Sequence, residues 1–391
     1  MAHDVLTGMS ETQMMLGHPP SAFPCAGKRV LLSTLSGHDK GEGRFYEIVL
    51  RRLGCQVSRI SAPACGGSPH KGDRAEAGLP LGTSVEELLQ VLPGRPDLFL
   101  YVEPLGLVPE GLERAPFPTA CVLGDCHRDL PSRLRLAGFF DHVFLYQRNY
   151  VSRFTEHPRT HVHWMPYACD LEVFHPLGGA RDLDVAFIGE RSGPDSERAR
   201  LMRDLASRYR VNEQRWYLQE EIPAVYSRTK IVVNLPAGDD LNFRFFEALS
   251  CGAMLITRRV DNGQGNLFEE GKHFVTFDTT AELLRLVEDY LRDDDARAQI
   301  AAAGHRAVME RHSLERRLVG LLATVAGAPE PVAPIRRMPG QRVDRLYAWL
   351  YEYWRSADAG ARLIGKVRRK GRPWLPLALP ALRSLMRNAL R

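Results

Sequence analysis

Short apolar runs recur along the chain from residue 28, separated by longer stretches whose apolar positions return with helical spacing. The runs at 29–33, 56–60, 97–102, 119–123, 142–146 and 162–165 predict strands, and 43–53, 84–92, 131–139 and 149–156 between them predict helices. Strand then helix, repeated at this spacing, is the pattern of a parallel sheet covered on both faces. The rhythm restarts at 184–188 (DVAFI) and continues through strands at 231–235, 253–257 and 274–277. Helices are expected at 196–209, 223–228, 243–251, 280–291 and 295–311. The pattern therefore predicts an α/β chain with two Rossmann-like domains and a ligand cleft at the carboxyl ends of their strands.

The expected divisions are an arm at 1–27, an N-terminal domain at 28–170 and a second domain at 171–325. A linker rich in Ala and Pro follows at 326–334, and then a basic, aromatic, helical tail at 335–391. A chain of 391 residues is long enough for two cores, and 44% hydrophobic with 25% charged residues is a globular balance. The net charge of +5 is unevenly spread. From Pro334 onward 14 Lys and Arg face 3 Asp and Glu, so this segment carries +11 and the remainder −6. Seven cysteines without a CxxC pair argue against a disulfide framework or zinc site and fit a reducing cytoplasm. The start, MAHDVLTGMSETQ, lacks the basic then apolar pattern of a signal peptide, and no run approaches the roughly 18 apolar residues of a spanning helix. A cytoplasmic protein is expected, or one held peripherally at the inner face of a membrane.

The chemistry concentrates in KIVVNLPAGDDLNFRFFEALSCGAMLIT, residues 230–257. A strand ends in a polar loop that feeds a helix, whose free backbone N–H groups and dipole suit a diphosphate. Arg244 in the first helical turn is suited to phosphate oxygens. Glu247, three residues on, shares its helical face and could accept hydrogen bonds from two ribose hydroxyls. The same spacing would also serve a simple ion pair between Arg244 and Glu247. In the first domain, the loop Gly124-Asp125-Cys126-His127-Arg128-Asp129 follows a strand. There His127 or Asp125 could act as the acceptor-side base that an inverting transfer needs and a retaining one does not, with the carboxylate orienting the imidazole, or the loop could be a plain capped turn. The Gly-rich loop 36–43 (SGHDKGEG) spells neither dinucleotide nor P-loop motif. Asp182-Leu-Asp184 is literally DxD but precedes a strand, and with no other His/Cys/Asp cluster no metal is expected, nor any cofactor.

Asp239, seven intervening residues, Glu247, then Ala248, Leu249 and Gly252 resemble the E-x7-E segment of GT-B glycosyltransferases. AVYSRTKIVVNL, NFRFFEALSCGAMLIT and LFEEGKHFVTF, with VHWMPYACDLEVFHPL and DVAFIGE upstream, resemble the spore-maturation (CgeB-like) glycosyltransferases, as does YVEPLGLVPEGLE further back. The resemblance spans about residues 95–320. It implies the GT-B fold and transfer of a sugar from a nucleotide-sugar donor to an acceptor that is a glycan, a lipid-linked species or a small molecule. It further implies that Glu247 holds the ribose, that Gly189 lets the chain approach the donor, and that Arg191 and Arg244 meet the diphosphate. Asn234 and Asn242 would line the pocket, and Asp239 would stand in the catalytic position. Asn242 replaces the usual glycine and Asp239 is one methylene shorter than glutamate. The partial match leans toward a retaining mechanism. A nucleotide-sugar epimerase or phosphorylase, or a non-catalytic nucleotide-sugar binder, are the alternatives on the same fold.

The tail admits three readings: a helix returning to the first domain, a basic anchor toward anionic lipid, or, well behind them, nucleic-acid contact.

Overall fold

The computed structural model describes residues 25–34, 42–61, 79–103, 106–155, 160–189, 196–328, 330–380 and 383. Most of the arm 1–27, most of the loop 36–43, Cys65 and Arg191 lie outside the described residues. The described residues fall into two units.

Residues 25–146, 150–164 and those from 321 onward make the first unit. Its sheet is β1 (Arg29–Ser33), β2 (Gln56–Ile60), β3 (Leu98–Val102), β4 (Thr119–Leu123), β5 (His142–Leu145) and β6 (His161–Trp164). All pairs are parallel, in the order β2-β1-β3-β4-β5-β6. Every side chain of β3, β4 and β5 is buried, and their sequences are accordingly unbroken apolar runs rather than alternating ones. The order reverses between β1 and β3, and at such a switch point the crevice opens at the carboxyl ends of the strands.

Residues 332–380 are built into this unit rather than standing apart from it. Helix Gly340–Tyr353 puts Tyr347, Leu350, Tyr351 and Trp354 inward at helical spacing, and helix Ala357–Arg369 does the same with Ala359, Leu363 and Val367. The Tyr347 hydroxyl donates to the Pro109 carbonyl at 3.0 Å, and its ring meets Phe139 edge-on at 5.2 Å. The segment leading into these helices is locked by Asp141, which is 1% exposed. One oxygen of Asp141 accepts from the N–H groups of Val332 and Ala333, both at 2.8 Å, and from Arg336 at 3.0 Å. The other accepts from Thr119 N–H at 2.9 Å, the Thr119 hydroxyl at 2.8 Å and Arg336 at 3.0 Å. So fully matched, the Asp141 carboxylate stays ionised in the core: against the opposing pull of burial, Arg336, the Ala333 N–H and Thr119 hold it below the usual carboxylate range.

Residues 147–149 and 165–320 make the second unit. Its parallel sheet, β10-β9-β8-β7, comprises β7 (Leu183–Ala186), β8 (Thr229–Asn234), β9 (Met254–Arg258) and β10 (Val275–Phe277). Helix Phe243–Ser250 is buried from Phe245 onward. Its carboxyl end is closed by Arg181, whose guanidinium donates to the carbonyls of Cys251 at 3.1 Å and Gly252 at 2.7 Å, and also to that of Tyr226 at 2.9 Å. Gly252 turns the chain at φ 69°, the left-handed conformation that glycine adopts without strain. The six described cysteines are buried, and none is in a disulfide among the described residues.

Candidate functional site

The carboxyl ends of β7 and β8 and the helix that follows β8 bring most of the expected donor residues together. Asn234 ends β8 and Asn242 precedes the helix Phe243–Ser250. Their side-chain amides pair reciprocally, Asn234 Nδ2 to Asn242 Oδ1 at 3.2 Å and Asn242 Nδ2 to Asn234 Oδ1 at 3.3 Å, and Asn234 also donates to Thr257 at 3.2 Å. Both are buried, so the pair fixes the helix start against the strand end instead of presenting free amides. Because Asn242 makes no side-chain cap, the first N–H groups of the helix keep their capacity for an anion.

Arg244 projects from that first turn and donates to the Ile188 carbonyl at 3.0 Å, beside the Phe187 ring at 5.9 Å. A Cβ on Gly189 would sit 2.0 Å from Arg244 Nη1, so the glycine makes room for the guanidinium. Glu247, one turn deeper, is 3% exposed. Among the described residues no donor reaches its carboxylate. Burial pushes its carboxyl up to about 7, against the opposing pull of Arg244. The Tyr226 hydroxyl, also fully buried, has no partner among the described residues and lies in the field of both Glu247 and Arg244.

Asp239 is exposed and doubly engaged. It accepts from Asn149 Nδ2 and from the Asp261 N–H, both at 2.7 Å, while its own carbonyl accepts from Asn262 at 2.8 Å. This aspartate thus ties the loop before the helix to residue 149 and to the 261–262 turn. Asp182 and Asp184, the DxD pair, lie at the amino-terminal edge of β7, on Arg228 at 2.8 Å and Lys230 at 2.8 Å respectively.

In the first unit, the loop after β4 contains Asp125 at φ 47°, a strained conformation for a non-glycine residue. Its carboxylate pairs with Arg128 at 3.4 Å and not with His127, so the expected carboxylate–imidazole couple is not formed. His127 Nδ1 is buried without a partner among the described residues. Asp129 caps the next helix through the Ser132 N–H at 3.2 Å. The loop is rooted by Glu103 at the end of β3. That carboxylate meets Arg133 at 2.6 Å and accepts from the Gly124 N–H at 2.9 Å, while Arg133 Nε donates to the Gly124 carbonyl at 3.3 Å. Burial pushes Glu103 up to about 7, opposed by Arg133 and the Gly124 N–H.

Residues 172–323 match the family model described as "Glycosyl transferase-like". No curated protein matches the chain. Among solved structures, the sucrose-phosphate synthase of Thermosynechococcus elongatus aligns with TM-score 0.52 and 13% identity over 77% of this chain and 98% of that one. The Anabaena protein HepE, in complex with UDP and glucose, aligns with TM-score 0.52 and 14% identity over 77% and 100%. An α-glucosyltransferase in complex with UDP-glucose and DNA containing an abasic site aligns with TM-score 0.54 and 10% identity over 76% and 98%. The chain has the GT-B fold.

Within this GT-B chain the matched segment covers the site around Glu247 and leaves the first unit's loop outside it. Two groups escaped sequence reasoning. Glu103 is a lone glutamate in YVEPLG whose partner Arg133 lies thirty residues on, a separation without periodic signal. Tyr226 sits in a helix where a tyrosine is unremarkable until its hydroxyl is found buried and unmatched. Arg191 cannot be set against this geometry, since it lies outside the described residues.

Proposed function

We propose that this protein is a glycosyltransferase that draws its sugar from a nucleotide-sugar donor held by the second unit. The observation that carries the reading is Glu247: a buried carboxyl, without a donor among the described residues, one turn behind the uncapped start of the helix that follows β8. A buried carboxylate without donors is costly unless a ligand supplies them. Adjacent ribose hydroxyls supply two. Arg244, the uncapped helix start and Arg191 then take the diphosphate, and Gly189 keeps the guanidinium in place. Asn234 and Asn242 position the helix. Asp239 fixes the loop that would lie against the sugar.

With cationic and N–H groups to balance the leaving diphosphate, no metal is required, and the donor phosphate itself accepts the acceptor proton in a retaining reaction. A retaining course needs no acceptor-side base; in an inverting one His127, in the loop rooted by Glu103 and Arg133, would be that base, since Asp125 is engaged with Arg128. The spore-maturation (CgeB-like) group is the subfamily we favour, with a cytoplasmic site of action and a glycan, lipid-linked or small-molecule acceptor. Epimerase chemistry would call for more acid and base groups than surround Glu247.

A thermal-shift screen against UDP-, GDP- and ADP-sugars tests this. A ligand at 100-fold its Kd stabilises by about 2.7 kcal/mol, and Glu247→Ala should lose that gain. If no nucleotide sugar stabilises the wild type, the donor site is refuted. Product analysis with and without added acceptor separates transfer from epimerisation, and binding without turnover marks a non-catalytic binder.

A further inference from the structure

The two helices that close the first unit have an inner and an outer side. Helix Ala357–Arg369 buries Ala359, Leu363 and Val367, while Ala361, Arg362, Arg368 and Arg369 lie on its exposed side, followed by exposed Lys370. Beyond the turn at Gly371, Leu377 faces the core, but Leu375 and Leu379 are 71% and 60% exposed. They are four residues apart in a helical stretch and so share one face. Trp374, half-buried, stands under Arg368 at 5.9 Å. From Ala359 to the last residue the sequence contains nine Lys and Arg and no Asp or Glu. Lys366 and Arg372 are matched to Glu110 and Asp344 at 2.9 Å, whereas Arg368, Arg369 and Lys370 have no carboxylate partner among the described residues.

We propose that this outer side, from Arg362 to Leu379, docks on an anionic lipid bilayer. The reading is independent of the donor site. Two exposed leucines and a tryptophan flanked by unmatched cations suit an interface where apolar side chains enter the acyl boundary and guanidinium groups meet headgroup phosphates. A nucleic acid would use the cations but give the leucines no partner. No described helix is long and apolar enough to cross a membrane, so contact would be peripheral.

The test uses the full chain, because residues 363, 367 and 377 belong to the core and truncation would damage the fold. Sedimentation is measured with phosphatidylcholine vesicles containing about one-third phosphatidylglycerol and with pure phosphatidylcholine vesicles. Binding to the anionic vesicles alone, weakening with salt, is expected. Each cation near such a surface contributes about fivefold, so Arg368→Gln/Arg369→Gln/Lys370→Gln should weaken partitioning by about 100-fold. Leu375→Ser/Leu379→Ser should weaken it by at least about tenfold. Both variants should keep the wild-type melting curve, since the replaced side chains are exposed. Absence of sedimentation with anionic vesicles overturns the proposal. So does a leucine variant that binds vesicles like the wild type while the cation variant alone loses affinity for both vesicles and an oligonucleotide, which would mark a phosphate surface only. A wild-type dimer on gel filtration that the leucine variant dissociates would assign the face to a second copy instead.

Discussion

Replacing Glu247 by Gln should move stability and donor binding in opposite directions. The carboxyl is 3% exposed and its pKa is pushed from 4.5 to about 7 by burial. A rise of about 2.5 pH units corresponds to about 3 kcal/mol between the protonated and ionised forms. Because the folded value lies above the unfolded one, the stability of the protonated form is fully present below 4.5 and is lost as pH rises through about 7. At about pH 8 the wild type therefore carries an ionised, unmatched carboxylate that the amide removes. A buried amide without partners costs about 1–2 kcal/mol of its own, so a net gain of about 1–2 kcal/mol is expected at pH 8 and none at about pH 5. Binding responds in the other sense. Hydrogen bonds to a charged acceptor contribute about 1.5–3 kcal/mol, so the variant should bind a nucleotide sugar at least about tenfold more weakly at pH 8. The wild-type Kd should itself rise about tenfold from pH 8 to pH 6 as the carboxylate takes up its proton, and the variant Kd should stay flat. Urea unfolding at the two pH values and calorimetric titration with a nucleotide sugar measure both arms. A variant less stable than wild type at pH 8, with an unchanged Kd, would refute the assignment of Glu247 as a charged acceptor awaiting hydroxyl donors.

Gly189→Ala places a methyl where Arg244 Nη1 now lies, 2.0 Å from the new atom, and should raise the donor Kd about tenfold while leaving the melting temperature nearly unchanged. Equal loss of stability and affinity would show that the guanidinium serves the fold instead. Asp141→Asn removes a buried charge that meets Arg336 through both oxygens and should cost about 3–5 kcal/mol in urea unfolding. A loss below about 1 kcal/mol would mean that the segment at 332–336 is held by its apolar contacts alone. His142, His161 and His163 stack on β5 and β6, with the first two rings 4.9 Å apart. Burial pushes His142 down to about 4 and His163 to about 3, with neighbouring imidazoles adding to the effect. Below the ordinary value of 6.5 the unfolded chain binds protons that the folded one refuses, so stability should fall from about pH 6.5 downward, by about 2 kcal/mol per imidazole at pH 5. His142→Phe should flatten that slope, and an unchanged slope would assign the acid sensitivity to other groups.

Strand positions were legible because fully buried parallel strands are unbroken apolar runs. β1, β2 and β4 begin and end where the hydrophobic pattern does, and the others differ by one or two residues. Pairing order was not legible, since nothing in β1 states that β3 rather than β4 lies beside it. The tail was half legible: the inward stripe of Tyr347, Leu350, Tyr351 and Trp354 has helical spacing, but its arginines masked the apolar face of the helix after it. Around the site, Glu247 and Arg244 could be placed from one helical turn. The reciprocal Asn234–Asn242 pair, the Asp239–Asn149 link and the Glu103–Arg133 root could not, because each joins segments remote in sequence or depends on which way an amide turns.

The locked segment at Asp141 also bears on how the protein is made. The six strands of the first unit are made before the second unit, yet residues that complete their core, Ala333 through Leu377, are made after it. During translation this sheet must wait, with its face for Tyr347 and Leu350 open, until the whole second unit has been synthesised. At about 5–20 residues per second the wait lasts on the order of ten seconds or more, long enough for an exposed apolar face to meet another chain. Nonsense and frameshift changes between residues 333 and 377 should therefore act as folding lesions of the first unit, not as harmless trims.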